Sequence, residues 1–278
     1  MKKILVGLMT LSFSASLLAQ AVSTASTQSV LQRLKDSPVS LTIDAYLESA
    51  PDVEKDKKFN GSTLYLDSVL GFKLTEDDSV ALLTESVHKD AKEVRASNEL
   101  EFVMLKYKRA LSKQDEDGVN SSVEVRPYYM TNDEGRDSSQ SNGGVQARLN
   151  FSRKVTDSLT LASTFRHYHY IKKTGAADSE KATTMRAWRL YLSGSYDVTD
   201  KIGLGLLGLY VSSRNNKRQS SGEVVVQPTL SYAINDTFTL TAGVESNLFS
   251  KPVDGTFSRN HLLVENFLYS INLTTSVF

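Results

Sequence analysis

Cysteine is absent from the 278-residue chain, and tryptophan occurs once, at position 188. The first absence excludes a disulfide scaffold and a lipid anchor on an N-terminal cysteine. Five prolines and 15 glycines exclude collagen-like and low-complexity classes. Charge of one sign is not in excess either: 32 Lys and Arg balance 32 Asp and Glu, so nothing drives the chain as a whole onto nucleic acid. Beyond residue 21 no apolar run is long enough for a transmembrane helix. No GxGxxG, Walker, HExxH or GxSxG string occurs, so dinucleotide, phosphate and common hydrolase chemistries find no motif to stand on.

What is present begins with an export signal. Lys2 and Lys3 precede an apolar run from Ile4 to Leu18, which ends at Ala19-Gln20-Ala21, a small-residue cleavage pattern. Residues 1–21 are therefore expected to be removed, leaving 30 basic and 32 acidic residues in an exported chain. Residues 22–38 read as a periplasmic lead-in.

From Val39 onward the pattern alternates with period two. Acidic turn segments recur at Asp77, Asp117, Asp157, Asp200 and Asp236, spaced 40, 40, 43 and 36 residues apart. A propeller blade of four short strands and a long hairpin with one outer loop both fit that period. Strand length decides between them. Between Asp157 and Asp200 there are only two alternating runs, each longer than a globular strand and suited to the roughly 9–11 residues of a membrane crossing.

The same reading gives an all-β chain of twelve strands: 39–50, 61–74, 79–88, 98–111, 119–130, 144–155, 158–171, 182–197, 201–213, 222–234, 237–248 and 261–278. An even count suits a twelve-stranded antiparallel transmembrane β-barrel over 39–278, with short periplasmic turns and longer extracellular loops. The long polar connections are 51–60, 131–143, 172–181, 213–221 and 249–260; the segment 112–118 is long for a periplasmic turn.

From its export signal through the hairpin ladder to Phe278, the chain resembles the bacterial outer-membrane β-barrel family. That family ends in an aromatic residue with apolar residues at alternate positions before it. Here Phe278 is present, but Ser276, Thr274 and Asn272 share its phase, while Val277, Leu273, Ile271, Tyr269 and Phe267 lie on the other. Within the family, twelve strands, the turn strings VTDSLTL and VTDKIGL, and the segments VEVRPYY and RAWRLYL are similar to the small monomeric oligogalacturonate-type porins. The resemblance implies an outer-membrane monomer surrounded by lipid and lipopolysaccharide, inserted by the barrel-assembly machinery, with no cofactor.

In a barrel, one phase of each strand meets hydrocarbon and the other can meet water. Val224, Val226, Leu230, Tyr232 and Ile234 set the outward phase of one strand, and Trp188, Leu190, Leu192 and Tyr196 that of another. Tyr196, Tyr232, Phe151 and Phe238 then form an aromatic girdle near the short turns. The opposite phase segregates charge. Lys106, Lys108, Arg126, Arg148, Arg166 and Arg189 fall on strands four to eight, beside Tyr168, Tyr170 and Tyr191. Asp44, Glu48 and Asp67 fall on strands one and two, and Glu223 and Glu245 on strands ten and eleven. A basic wall would face an acidic one, with tyrosines offering flat apolar surface for sugar rings. The other reading of these charges is mutual pairing that plugs the lumen. Two stretches leave their phase open: 98–111, where Leu100, Phe102 and Met104 could point outward, and 201–213, which is apolar on both faces.

Four histidines bear on catalysis or metal binding. His88 and His261 lie near loop ends, and His167 and His169 share a face with Ser163. Ser163 and His167 are four strand residues apart, roughly 13 Å, too far for a serine–histidine pair. His167 and His169 alone make a poor metal site and fit an interfacial rim. The acidic loop groups Asp52, Glu54, Asp56 and Asp133, Glu134, Asp137 read as solvated charge, with calcium binding as the alternative. The expectation is a non-enzymatic porin for small hydrophilic solutes, favouring anionic or zwitterionic compounds such as acidic oligosaccharides. A non-conducting barrel whose loops bind a partner is the alternative.

Overall fold

The computed structural model describes residues 38–51, 59–91, 94–173, 184–235, 237–251, 258–259 and 267–276. The proposed signal and nearly all of the lead-in lie outside these residues, as do His261 and Phe278.

Twelve long antiparallel strands close into a barrel. They are β1 (Val39–Pro51), β2 (Phe59–Lys73), β3 (Asp78–Ala91), β4 (Val94–Ser112), β5 (Asn120–Met130), β6 (Ser141–Lys154), β7 (Leu159–Lys172), β8 (Thr184–Asp197), β9 (Ile202–Asn215), β10 (Ser220–Ala233), β11 (Phe238–Lys251) and β13 (Phe267–Ser276). A two-residue β12 (Ser258–Arg259) adds only a short pairing to β11. Each long strand pairs with its neighbour in sequence, and β13 pairs with both β11 and β1, which closes the ring. Strands of 14 residues such as β7 and β8, tilted about 40°, climb roughly 35 Å, enough to cross a hydrocarbon layer with overhang. Among the described residues no helix is long and apolar enough to cross a membrane.

Four of the short turns share one construction. Thr75 Oγ1 accepts the N–H of Asp77 and Asp78, Thr156 Oγ1 those of Ser158 and Leu159, Thr199 Oγ1 those of Lys201 and Ile202, and Asn235 Oδ1 those of Thr237 and Phe238. A side-chain oxygen thus replaces a missing backbone partner at each reversal. The regular spacing of acidic segments arises from this repeated turn, although the bonding oxygen belongs to the Thr or Asn beside the acidic residue. The fifth short connection differs: it holds a one-turn helix, α1 (Gln114–Asp117), closed by Gly118 at φ 75°, a conformation that favours glycine.

The barrel inverts the usual burial rule. Leu105, Leu192 and Leu206 are each more than half exposed, at 54%, 56% and 56%. Buried residues include Glu124, Arg126 and Gln146, all on the inward phase. A band of exposed leucine, valine and aromatic side chains on alternate positions is the surface a lipid-embedded barrel needs.

The two open phases are settled by register. In β4, Leu105, Tyr107 and Leu111 point outward, whereas Met104 is buried and pairs with inward Leu83. Leu100 is exposed as well, five residues before Leu105. An odd separation between two outward residues requires one extra residue, and a bulge opposite Glu85 and Ser86 supplies it at Glu101. In β9, Ile202, Leu204, Leu206 and Tyr210 face outward, leaving Leu207, Leu209 and Val211 inside. The sequence placed the start of β6 at 144; it begins at Ser141, because Gly143, at φ 149° and close to the Tyr128 carbonyl, extends the pairing through a bulge.

The cysteine-free background makes the β4 phase directly measurable. Single cysteines at 104, 106 and 108 should react with a membrane-impermeant thiol reagent in bilayer-embedded protein, and those at 105, 107 and 111 should not. The reverse pattern would contradict the Glu101 bulge.

Candidate functional site

The lumen is assembled from strand register alone. One cross-strand row in register runs from Ser79 on β3 through Lys108, Glu124, Arg148, Arg166 and Arg189 to Val211 on β9 and Glu223 on β10. The row on its extracellular side carries Arg126, Gln146, Tyr168 and Ala187 in register, and Lys106 projects inward from β4 on the phase of Lys108. All six basic residues named from the sequence thus occupy inward positions on five consecutive strands.

Like charges set directly opposite one another destabilise a sheet by roughly 0.2–1 kcal/mol per pair. Arg148, Arg166 and Arg189 nevertheless stand side by side. Aromatic faces and one carboxylate make this tolerable. The Arg166 guanidinium lies 4.0 Å from the Tyr191 ring centroid and donates to its hydroxyl at 3.2 Å. The Arg189 guanidinium lies 4.8 Å from the Tyr168 ring, which stacks on Tyr170 with centroids 6.2 Å apart, and Lys172 sits 5.5 Å from Tyr170. Arg126 donates from Nε to Glu124 Oε2 at 2.7 Å, and Arg148 donates to Gln146. The three tyrosines named from the sequence are therefore interleaved with the cations rather than set apart from them.

The acidic arc lies across the closure seam. Asp44 on β1 pairs with Asp67 on β2, and Asp67 with Glu85 on β3, all inward. Glu48 shares the β1 phase two inward positions nearer the extracellular end, beyond the inward Tyr46 and Tyr65 pair, whose centroids are 5.9 Å apart. Glu223 accepts from Asn247 Nδ2 at 3.2 Å, and Glu245 pairs in register with Leu268 of β13. Among the described residues no ion pair joins this arc to the basic one: the salt bridge within the lumen is Arg126–Glu124. The Asp44 and Asp67 Oδ1 atoms and the Arg166 and Arg189 Nε atoms have no protein hydrogen-bond partner among those residues.

Four interior carboxylates escaped the sequence reading. Glu85 and Glu124 carry a usable signal, the two-residue spacing from inward neighbours on their own strands; Glu99 and Glu101 do not, because the bulge breaks their phase with Lys106 and Lys108. At the periplasmic end a cavity of about 610 Å³ opens between β1 and β4, lined by Thr42, Val69, Ser79, Ala81, Lys106 and Lys108. At the extracellular end a second short helix, α2 (Asp133–Ser139), lies over the β5–β6 rim, where the Ser139 carbonyl accepts from Lys172 Nζ at 2.9 Å. Nearby, Lys173 Nζ donates to Asp137 Oδ1; this hydrogen bond and the charge of Lys173 hold the Asp137 carboxyl below the usual carboxylate range, so the Asp137–Lys173 pair persists at neutral pH and is lost as pH falls through the lowered value.

The histidines lie elsewhere. His167 and His169 face outward with Ser163, opposite Trp188, Arg186 and Leu192. His88 pairs with Leu64 and Asn98 on the outward phase of β3. Among the described residues no group of three or more His, Cys, Asp or Glu side chains could hold a metal ion.

No protein-family model and no curated protein sequence matches the chain. Solved structures do. A NanC porin aligns over 85% of this chain and 98% of its own at 11% identity, with a TM-score of 0.51. An outer membrane channel from Pseudomonas putida F1 aligns over 86% and 96% at 9% identity, also with a TM-score of 0.51. A KdgM porin aligns over 84% and 98% at 12% identity, with a TM-score of 0.49. At such identities the first two likenesses establish the fold: this chain is a closed twelve-stranded barrel of the outer-membrane type.

Glu124 is the carboxylate paired within the basic row, and both it and Arg126 are buried. Replacing Glu124 with Gln leaves Arg126 without a counter-charge and should lower the unfolding free energy by roughly 3 kcal/mol, the lower end for breaking a buried pair. Denaturant titration in lipid vesicles checks this; an unchanged midpoint would show that water already screens Arg126.

Proposed function

We propose that the protein is an outer-membrane porin through which small hydrophilic solutes diffuse passively, and that it favours anionic or zwitterionic compounds such as acidic oligosaccharides. The observation that carries this reading is the separation of charge inside the barrel: cations on β4–β8 and carboxylates on β1–β3, β10 and β11, with no ion pair between the arcs among the described residues. A plugged lumen would be expected to neutralise its charges across the axis. Facing arcs of opposite sign instead leave a transverse field in the water between them, which orients a zwitterion and holds an anion to one wall.

Lys106, Lys108, Arg126, Arg148, Arg166 and Arg189 are the residues proposed to guide anions, with Asp44, Glu48, Asp67, Glu223 and Glu245 as the opposing wall. Arginine forks match carboxylate geometry. Tyr168, Tyr170 and Tyr191 lie flat beside them and suit the apolar faces of sugar rings. The chemistry is binding and release, with no covalent step and no cofactor. Export by a cleaved signal, insertion by the barrel-assembly machinery and a monomeric state complete the reading.

The purified chain, inserted in planar bilayers, should give discrete conductance steps with anion preference under a salt gradient. Replacing Arg126, Arg148, Arg166 and Arg189 together with Ser should shift the reversal potential toward cations. A folded but silent barrel would overturn the porin reading, and an unchanged reversal potential would overturn the role given to the basic arc.

A further inference from the structure

The outward phase of the barrel is largely apolar, so a cluster of charge on it calls for a partner. On β8 the lipid-facing side chains run Tyr196, Leu192, Leu190 and Trp188, and the next outward position is Arg186. Tyr196 and Trp188 lie eight residues apart, roughly 20 Å in height and close to the apolar band of such barrels. Arg186 therefore stands one step above the hydrocarbon, at the extracellular headgroup level.

Register carries that step across three strands. His169 on β7 pairs with Arg186, and Arg186 pairs with Arg214 on β9. All three are exposed, and the turn after β9 adds the exposed Lys217 and Arg218. The row is bounded by uncharged positions, Val145 on β6 and Ser220 on β10. Among the described residues neither Arg186 nor Arg214 has a carboxylate partner. Directly below, Trp188 packs against Phe165 at 5.5 Å and His167 at 3.8 Å between ring centroids, forming an aromatic ledge. Neighbouring cations on one sheet face repel one another, so stability alone does not favour this row. An anion held between them would offset that cost.

We propose that the arc of His169, Arg186, Arg214 and Arg218 is a docking surface for the phosphorylated headgroup of an outer-leaflet glycolipid, the lipopolysaccharide of the outer membrane. Arg186 and Arg214 fork onto phosphate oxygens, and the acyl chains lie against the ledge of Phe165, Trp188 and His167. The proposal rests on the membrane placement given above and is independent of whether the lumen conducts.

Trp188, the sole tryptophan of the sequence, adjoins the arc and reports on it. In detergent-folded full chain, titration with lipopolysaccharide should shift Trp188 emission in a saturable way. The same lipid stripped of its phosphates should bind about tenfold or more weakly, as should the R186S/R214S variant toward the intact lipid. The R126S/R148S variant, altered only inside the lumen, should bind like the parent. Conductance recorded on the R186S/R214S protein separates the two readings: a porin that keeps its conductance while losing lipid supports the docking surface. Equal affinity for intact and phosphate-free lipid would overturn it without recourse to any variant, as would equal affinity of parent and folded R186S/R214S protein.

Discussion

Everything in this molecule depends on backbone closure. Hydrocarbon offers no hydrogen-bond partner, so each N–H and C=O at membrane depth must be satisfied within the protein. The pairing of β13 with both β11 and β1 removes the last free edges. Once the ring is closed, each residue has only two choices of direction, and the sequence must be legible as two superposed patterns. The outward pattern carries exposed Leu, Val, Tyr and Trp side chains, and the inward one carries Ser, Thr, Gln, Arg, Glu and Asp. Apolar burial in a central core, the usual source of stability, is reduced here to inward side chains such as Ala81, Val87, Met104, Ala187 and Val225.

That division frees the interior from the demands of packing and lets charge be arranged for another end. Three arginines side by side in one cross-strand row would be eliminated if stability alone governed the choice. They are accommodated by tyrosine faces and by the Arg126–Glu124 pair, while the carboxylates that could neutralise them lie on other strands. Lasting separation of opposite charges in one lumen is an energetic cost borne locally, and under the porin reading proposed above a transverse field between the arcs is what it would provide.

Much of this was readable in the sequence, and the parts that were not have physical causes. Period-two alternation and strand length revealed the twelve long strands, with β4 extending to Val94, ahead of the expected 98, because its first residues have mixed character. The repeated turns announced themselves through acidic residues, although Thr75, Thr156, Thr199 and Asn235 do the bonding. The phase of β4 could not be read because a single inserted residue, Glu101, reverses parity within one strand. The phase of β9 could not be read because both faces are apolar, and only its partners β8 and β10 decide it. The tyrosine–arginine stacks depend on contacts between neighbouring strands, which no linear pattern encodes. The likeness to solved outer-membrane channels is itself one of fold, at 9–11% identity, and the arrangement of charge is visible only in the register of the strands.

Those two ambiguous strands are also where the arcs meet, and the coincidence has a structural reason. Opposite charges on one lumen surface would collapse into ion pairs unless something held them apart at both boundaries. On β4 Glu99 and the bulged Glu101 lie toward the extracellular end and Lys106 and Lys108 toward the periplasmic end, so the sign changes along a single strand with Phe102 and Met104 between. On the far side Leu207, Leu209 and Val211 project inward from β9 between Arg189 on β8 and Glu223 on β10, an apolar strip one strand wide. Leucine and valine inside a polar lumen make little sense as water-facing residues and good sense as insulation, because they offer neither charge a nearby partner. The features that defeat a two-pattern reading of the sequence are therefore the ones that let two oppositely charged walls share one barrel.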